Sequence, residues 1–89
     1  MKRKEVLLTT NTFEVCGWSN FTELSQKDSF KWTFRKTKIG VEFELTFCEF
    51  TYEVVIKRVS LTPETVFKGK VFNPRDFMAI NRCIFDNVE

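Results

Sequence analysis

Between Ser29 and Phe47 apolar and polar residues alternate along the chain. Phe30, Trp32 and Phe34 are interleaved with Lys31, Thr33 and Arg35. After Thr37-Lys38-Ile39-Gly40 the pattern resumes, with Val41, Phe43, Leu45 and Phe47 against Glu42, Glu44 and Thr46. A period of two is the mark of a strand with one face buried. Pairing Lys36 with Val41 in a hairpin sets Phe34 opposite Phe43, Trp32 opposite Leu45 and Phe30 opposite Phe47. The other face then carries Arg35 against Glu42, with Thr33 and Lys31 against Glu44 and Thr46. Such cross-strand pairs contribute about 0.2–1 kcal/mol each. A slip of one residue would destroy both faces at once.

The phase then changes, because Phe50, Tyr52, Val54 and Ile56 form the next apolar set. A tight turn at Cys48-Glu49 would set Phe47 against Phe50 and Leu45 against Tyr52, but also Glu44 against Glu53, an unfavourable like-charge pair. A bulge bending one long strand is the alternative. Leu61-Thr62-Pro63-Glu64 reads as a turn, followed by a last strand from Val66 to Phe72 that Gly69 weakens. Upstream, Val6–Leu8 and Phe13–Cys16 read as short strands joined by a turn at Thr9-Thr10-Asn11-Thr12. Asn20 and Glu23 have capping-box spacing, which predicts a short helical turn over Phe21–Gln26.

The C-terminal helix has a well-marked start. Asn73 is a good N-cap, Pro74 suits the first helical position, and Asp76 can both cap and oppose the helix dipole. Phe72 and Phe77 have the spacing of a hydrophobic staple. Phe77, Ile80 and Ile84 line one face, with Cys83 beside them and an end near Asp86-Asn87. A sheet with one apolar face needs a cover, and this helix is the obvious one. The expected fold is α+β: an antiparallel sheet of about five or six strands with a C-terminal helix packed on one face, all 89 residues forming one domain. A small β-barrel with a terminal helix is the alternative.

Composition narrows the chemistry. The chain has no histidine, so the usual Ser-His-Asp and Cys-His relays and all His-containing zinc sites are excluded. Cys16, Cys48 and Cys83 lie more than thirty residues apart, too few and too scattered for a four-thiolate zinc site. Gly17, Gly40 and Gly69 stand singly, so no phosphate-cradling glycine cluster exists. The odd cysteine count, and an apolar stretch at Val6-Leu7-Leu8 too short for a signal peptide, point to a cytoplasmic protein without membrane association. No metal or cofactor is expected.

Net charge is only +2, but it is unevenly spread. Eight basic and four acidic residues fall in 1–40, four acidic and no basic in 41–56, and six basic and four acidic in 57–89. The simplest meaning is that an acidic strand neutralises basic neighbours within one sheet. The functional one makes Glu42, Glu44, Glu49 and Glu53 an acidic patch for a basic groove on a larger protein, such as one that normally holds nucleic acid. Trp18 and Phe21, in an apparent connection, would be aromatic anchors for that partner, or else would close one end of the core. An alternative is a nucleic-acid-binding module using Lys31, Arg35, Lys57, Arg58, Lys68 and Lys70 around an aromatic sheet face. Lys68-Gly69-Lys70-Val71-Phe72 resembles the opening of the RNA recognition motif's basic-glycine strand. It lacks the aromatic directly after the glycine, and the element order lacks the first long helix.

Glu42 and Glu44, two positions apart on one strand face, could in principle hold Mg²⁺ for hydrolysis, but Arg35 stands beside them. The chain therefore reads as a small non-enzymatic binding protein. In general character it resembles the inhibitors and accessory factors encoded by phages and mobile elements, though without a diagnostic motif. A homodimer is a further option, because an open sheet edge can pair with itself.

Overall fold

The computed structural model describes residues 7–22 and 31–86. Its elements in chain order are α1 (Thr10–Val15), β1 (Ser19–Asn20), β2 (Lys31–Lys38), β3 (Val41–Cys48), β4 (Glu53–Val59), β5 (Glu64–Lys70) and α2 (Pro74–Asp86). The strands form one open antiparallel sheet in the order β1-β2-β3-β4-β5, with no closure into a barrel. Both helices contribute to a single core on one side of it.

The β2–β3 hairpin has the expected faces, but its register lies two residues from the expected one. Lys38 pairs with Val41, Phe34 with Leu45, and Trp32 with Phe47. A slip of two keeps every side chain on its face, so alternation is satisfied equally by both registers. The turn decides between them. Ile39 (φ 51°) and Gly40 (φ 74°) are both left-handed, as a two-residue type I′ turn requires.

The phase change after Phe47 comes from a four-residue loop, 49–52, and neither a two-residue turn nor a bulge in one long strand. Cys48 pairs with Glu53, Phe47 with Val54 and Leu45 with Ile56. This wider loop moves Glu44 away from Glu53 and sets it opposite Lys57, turning a repulsion into an attraction. Tyr52, at φ 62°, closes the loop. Its amide donates to the Cys48 carbonyl (2.7 Å), and its own carbonyl accepts from the Val71 amide (2.9 Å). A β-bulge does occur further on, where Ile56 faces Phe67 but Lys57 faces Thr65.

The segment before the sheet differs from the expected pair of strands. Residues 10–15 form α1, whose only buried side chain is Phe13. The helix ends in a Schellman motif. Gly17 is left-handed (φ 93°), its amide donates to the Glu14 carbonyl (3.0 Å), and the Trp18 amide donates to the Phe13 carbonyl (3.0 Å). Asn20 lies in β1, and its Oδ1 accepts from the Thr22 amide (2.8 Å); the rest of the predicted helical turn, with Glu23, lies outside the described residues.

α2 begins as its sequence directs. Asn73 Oδ1 accepts from the Asp76 amide and Asn73 Nδ2 donates to Asp76 Oδ2, both at 2.9 Å. Its buried residues are Phe77 and Phe85, with Ile80 and Ile84 packed beside them, whereas Cys83 is exposed. Phe72 and Phe77, the two residues with staple spacing, also have ring partners elsewhere. Phe72 is half exposed and its ring lies 5.5 Å from that of Tyr52, while Phe77 meets Phe13 at 4.7 Å.

Phe13 is the centre of the core. Its ring lies 5.0 Å from both Phe34 and Phe47 and 4.7 Å from Phe77, so α1 is wedged between sheet and α2. Phe85 forms a second centre, 4.9 Å from Phe43 and 5.8 Å from Trp18.

Candidate functional site: the helix-free face of the sheet

With the rings of β2 and β3 turned toward the helices, the opposite face of the sheet is left to charged and small side chains. The register sets them in rows. Lys31, Cys48, Glu53 and Lys70 make one row; Thr33, Thr46, Val55 and Lys68 the next; Arg35, Glu44, Lys57 and Thr65 the third. Glu42 pairs with Thr37 and Val59 in a fourth. Five of the six basic candidates, Lys31, Arg35, Lys57, Lys68 and Lys70, therefore share one face with Glu42, Glu44 and Glu53. Arg58 does not join them. It pairs with Phe43 in register, on the helix side, and binds Glu64 at 2.8 Å.

The four acidic candidates divide into two pairs. Glu42 and Glu44 both reach Arg35 at 3.7 Å, so the acidic strand does neutralise its basic neighbour. These are surface pairs, each contributing about 0–1 kcal/mol. Glu49 and Glu53 sit at the exposed β3–β4 loop, and neither is in an ion pair with a described residue. Arg35 is also stacked, with its guanidinium 5.0 Å from the centre of the Phe21 ring. Phe21 is 54% exposed, which leaves it available on this face.

Trp18 is not a surface anchor. It is 2% exposed, and its indole N–H donates to Asn81 Oδ1 at 3.0 Å. It therefore takes the core-closing role, because a ring held between the C-terminus of α1 and α2 has its polar atom satisfied inside. Among the described residues the rings of the central strands do not share a face with the candidate lysines. Phe34, Phe43 and Phe47 are buried on the helix side, opposite the lysines they would have to accompany.

Two lysines escaped the sequence reading. Lys36 and Lys38 continue the even-numbered series of Trp32 and Phe34 and so point to the helix side. Lys36 Nζ donates to the Cys16 carbonyl (2.7 Å) at the end of α1, and Lys38 Nζ donates to the Phe85 carbonyl (3.0 Å) near the end of α2. Both ammonium groups lie against the Phe85 ring, at 4.4 and 5.7 Å. Burial lowers the Lys36 pKa, the neighbouring Cys16 opposes that shift, and Lys38 adds to it. The cue was their parity, the same as that of the buried rings.

The cysteines are free thiols in different settings. Burial raises the Cys16 pKa, only partly offset by Lys36. Cys48 is shifted the other way, by hydrogen bonds from the Thr51 side chain and then from the Thr51 and Phe50 backbone, with Lys31 adding attraction. A lowered thiol pKa gives more thiolate at neutral pH. Cys48 should therefore be alkylated by iodoacetamide before Cys16, with a rate midpoint below the ordinary thiol value of 9.0, whereas Cys16 titrates above it. Peptide mapping after timed alkylation checks this order, and Thr51→Val should slow Cys48.

Among the described residues no group of three or more His, Cys, Asp or Glu side chains is placed to hold a metal ion. No described helix is long and apolar enough to cross a membrane. No protein-family model, curated protein or solved structure matches the chain.

Proposed function

We propose that this chain is a small non-enzymatic binding protein that covers a surface on a larger protein with the helix-free face of its sheet. The observation that carries this reading is the division of one sheet into an aromatic face closed by two helices and a charged face that neither described helix covers. Glu42 and Glu44 form the acidic centre of that face, Glu49 and Glu53 extend it to the exposed loop, and Phe21 stands on Arg35 at its margin. Acidic groups ordered by a sheet suit a basic groove, and they act more through association rate and selectivity than through raw affinity. The role is that of a cytoplasmic inhibitor or accessory factor, of the kind phages and mobile elements encode, acting on a protein that itself handles nucleic acid.

Replacing Glu42, Glu44, Glu49 and Glu53 together with Gln should keep the fold, since all four are at the surface, and should weaken partner capture from the native host. Unchanged capture by the quadruple variant contradicts the proposal. Direct nucleic-acid binding is the second reading, favoured by the five cations on the same face. Fluorescence anisotropy with labelled single strands at graded salt separates the two. Tight binding with a steep salt slope would favour nucleic acid; no binding at low salt would leave the protein partner.

A further inference from the structure

The rim of the sheet offers a contact that its face does not. β5 is the last strand, and among the described residues nothing pairs with its outer edge along Lys68–Lys70. The bond from the Val71 amide to the Tyr52 carbonyl extends the β4–β5 register by one position. Hydrogen-bonded pairs alternate along an antiparallel ladder. Gly69 and Phe67 therefore bond to β4, and Lys68 and Lys70 turn their amides and carbonyls outward. Phe72 belongs to the same outward series, and its carbonyl already accepts from the Leu8 amide at 2.8 Å. The rim thus takes a backbone partner at its end, and among the described residues the two preceding positions are open.

Side chains define what fits there. Lys68 and Lys70 are exposed on the helix-free side, and neither is in an ion pair with a described residue. On the other side the half-buried Phe67 lies along Gly69, its ring 3.3 Å from where a Cβ would stand. We infer that β5 binds an extended acidic segment of a partner protein as an added strand. Carboxylates on alternate residues would face Lys68 and Lys70, and small apolar side chains between them would rest on Phe67. This goes beyond the proposed function, because it uses the rim and not the acidic centre. The bulge beside Val66 limits the added strand to a short one.

The probe is a capped peptide of alternating Glu and Val, added to the full-length isotopically labelled chain. At saturation the Lys68 and Lys70 amides should exchange with solvent at least about tenfold more slowly, while the amides facing β4 are unchanged. The Lys-for-Glu version of the peptide should not bind. K68E/K70E should lose the acidic peptide by about tenfold or more and accept the basic one instead. Lys68→Pro, which removes an outward amide and none that bonds to β4, should keep its melting temperature and bind more weakly than Lys68→Gln. Binding without slowed exchange at Lys68 and Lys70 would overturn the inference, as would equal binding of both peptides. Slow exchange there before any peptide is added would also overturn it, assigning the rim to this chain itself or, if concentration-dependent, to a second copy. The quadruple Gln variant should still bind the peptide, so failure of the face and failure of the rim are read separately.

Discussion

Phe13→Ala is expected to lower the stability of the fold by about 3–5 kcal/mol. The side chain is fully buried and touches β2, β3 and α2 together, through the rings of Phe34, Phe47 and Phe77. Removing a buried phenylalanine costs about 3–5 kcal/mol, the lost transfer energy plus the cavity left behind. The net stability of a folded domain is only about 5–15 kcal/mol. The loss therefore takes a large share of the margin. Leu61→Ala is the control, because that side chain is fully exposed and its truncation should move stability by no more than about 0.5 kcal/mol. Urea unfolding followed by tryptophan fluorescence measures both. Native-like unfolding of Phe13→Ala would show that α1 does not hold sheet and α2 together.

Phe85→Ala should come second, again at about 3–5 kcal/mol, through a different set of contacts. Phe85 joins α2 to Phe43 of the sheet and to Trp18, and it is the ring against which Lys36 and Lys38 rest. Its loss opens a cavity beside two ammonium groups whose other contacts are helix-terminal carbonyls. Phe85→Leu should recover most of the packing but not the cation–π attraction, which contributes about 0.5–2 kcal/mol for such groups. A Leu variant as stable as the parent in urea would mean that the lysines gain nothing from the ring.

The parts of this fold legible in the sequence are those with a period or a cap. Trp32, Phe34, Phe43, Leu45 and Phe47 show the buried face of β2 and β3 because a half-buried strand must alternate. Asn73, Pro74 and Asp76 mark the start of α2 because the free amides of a helix start need acceptors. Register was not legible, since pairing Val41 with Lys36 or with Lys38 keeps the same faces. A β-branched residue at a left-handed position, as at Ile39, is also a poor announcement of a two-residue turn. α1 was hidden because Thr, Phe and Val favour strands, and its six residues are held by the burial of Phe13 and the turn at Gly17.

The candidate site was legible in the same uneven way. The acid-base alternation correctly placed Glu42, Glu44 and Arg35 on one side of the hairpin. Trp18 could not be placed, because a lone aromatic in a connection has no period to say which way it points. Lys36 and Lys38 were visible in parity, yet a lysine on a buried face is unusual enough that only its contacts explain it. Their long apolar stems cross the core margin and deliver the charge to a helix end.

One side of the sheet forms the core, and we propose that the other meets a partner. Carboxylate labelling with a carbodiimide and a small amine, on the free chain and on the chain bound to its co-purified partner, tests it most directly. Protection of Glu42, Glu44, Glu49 and Glu53 in the complex, with Glu14, Asp76 and Asp86 on the helices labelled as before, is the predicted result. Protection of the helical carboxylates with the four glutamates still reactive would place the partner on the opposite side and contradict the account.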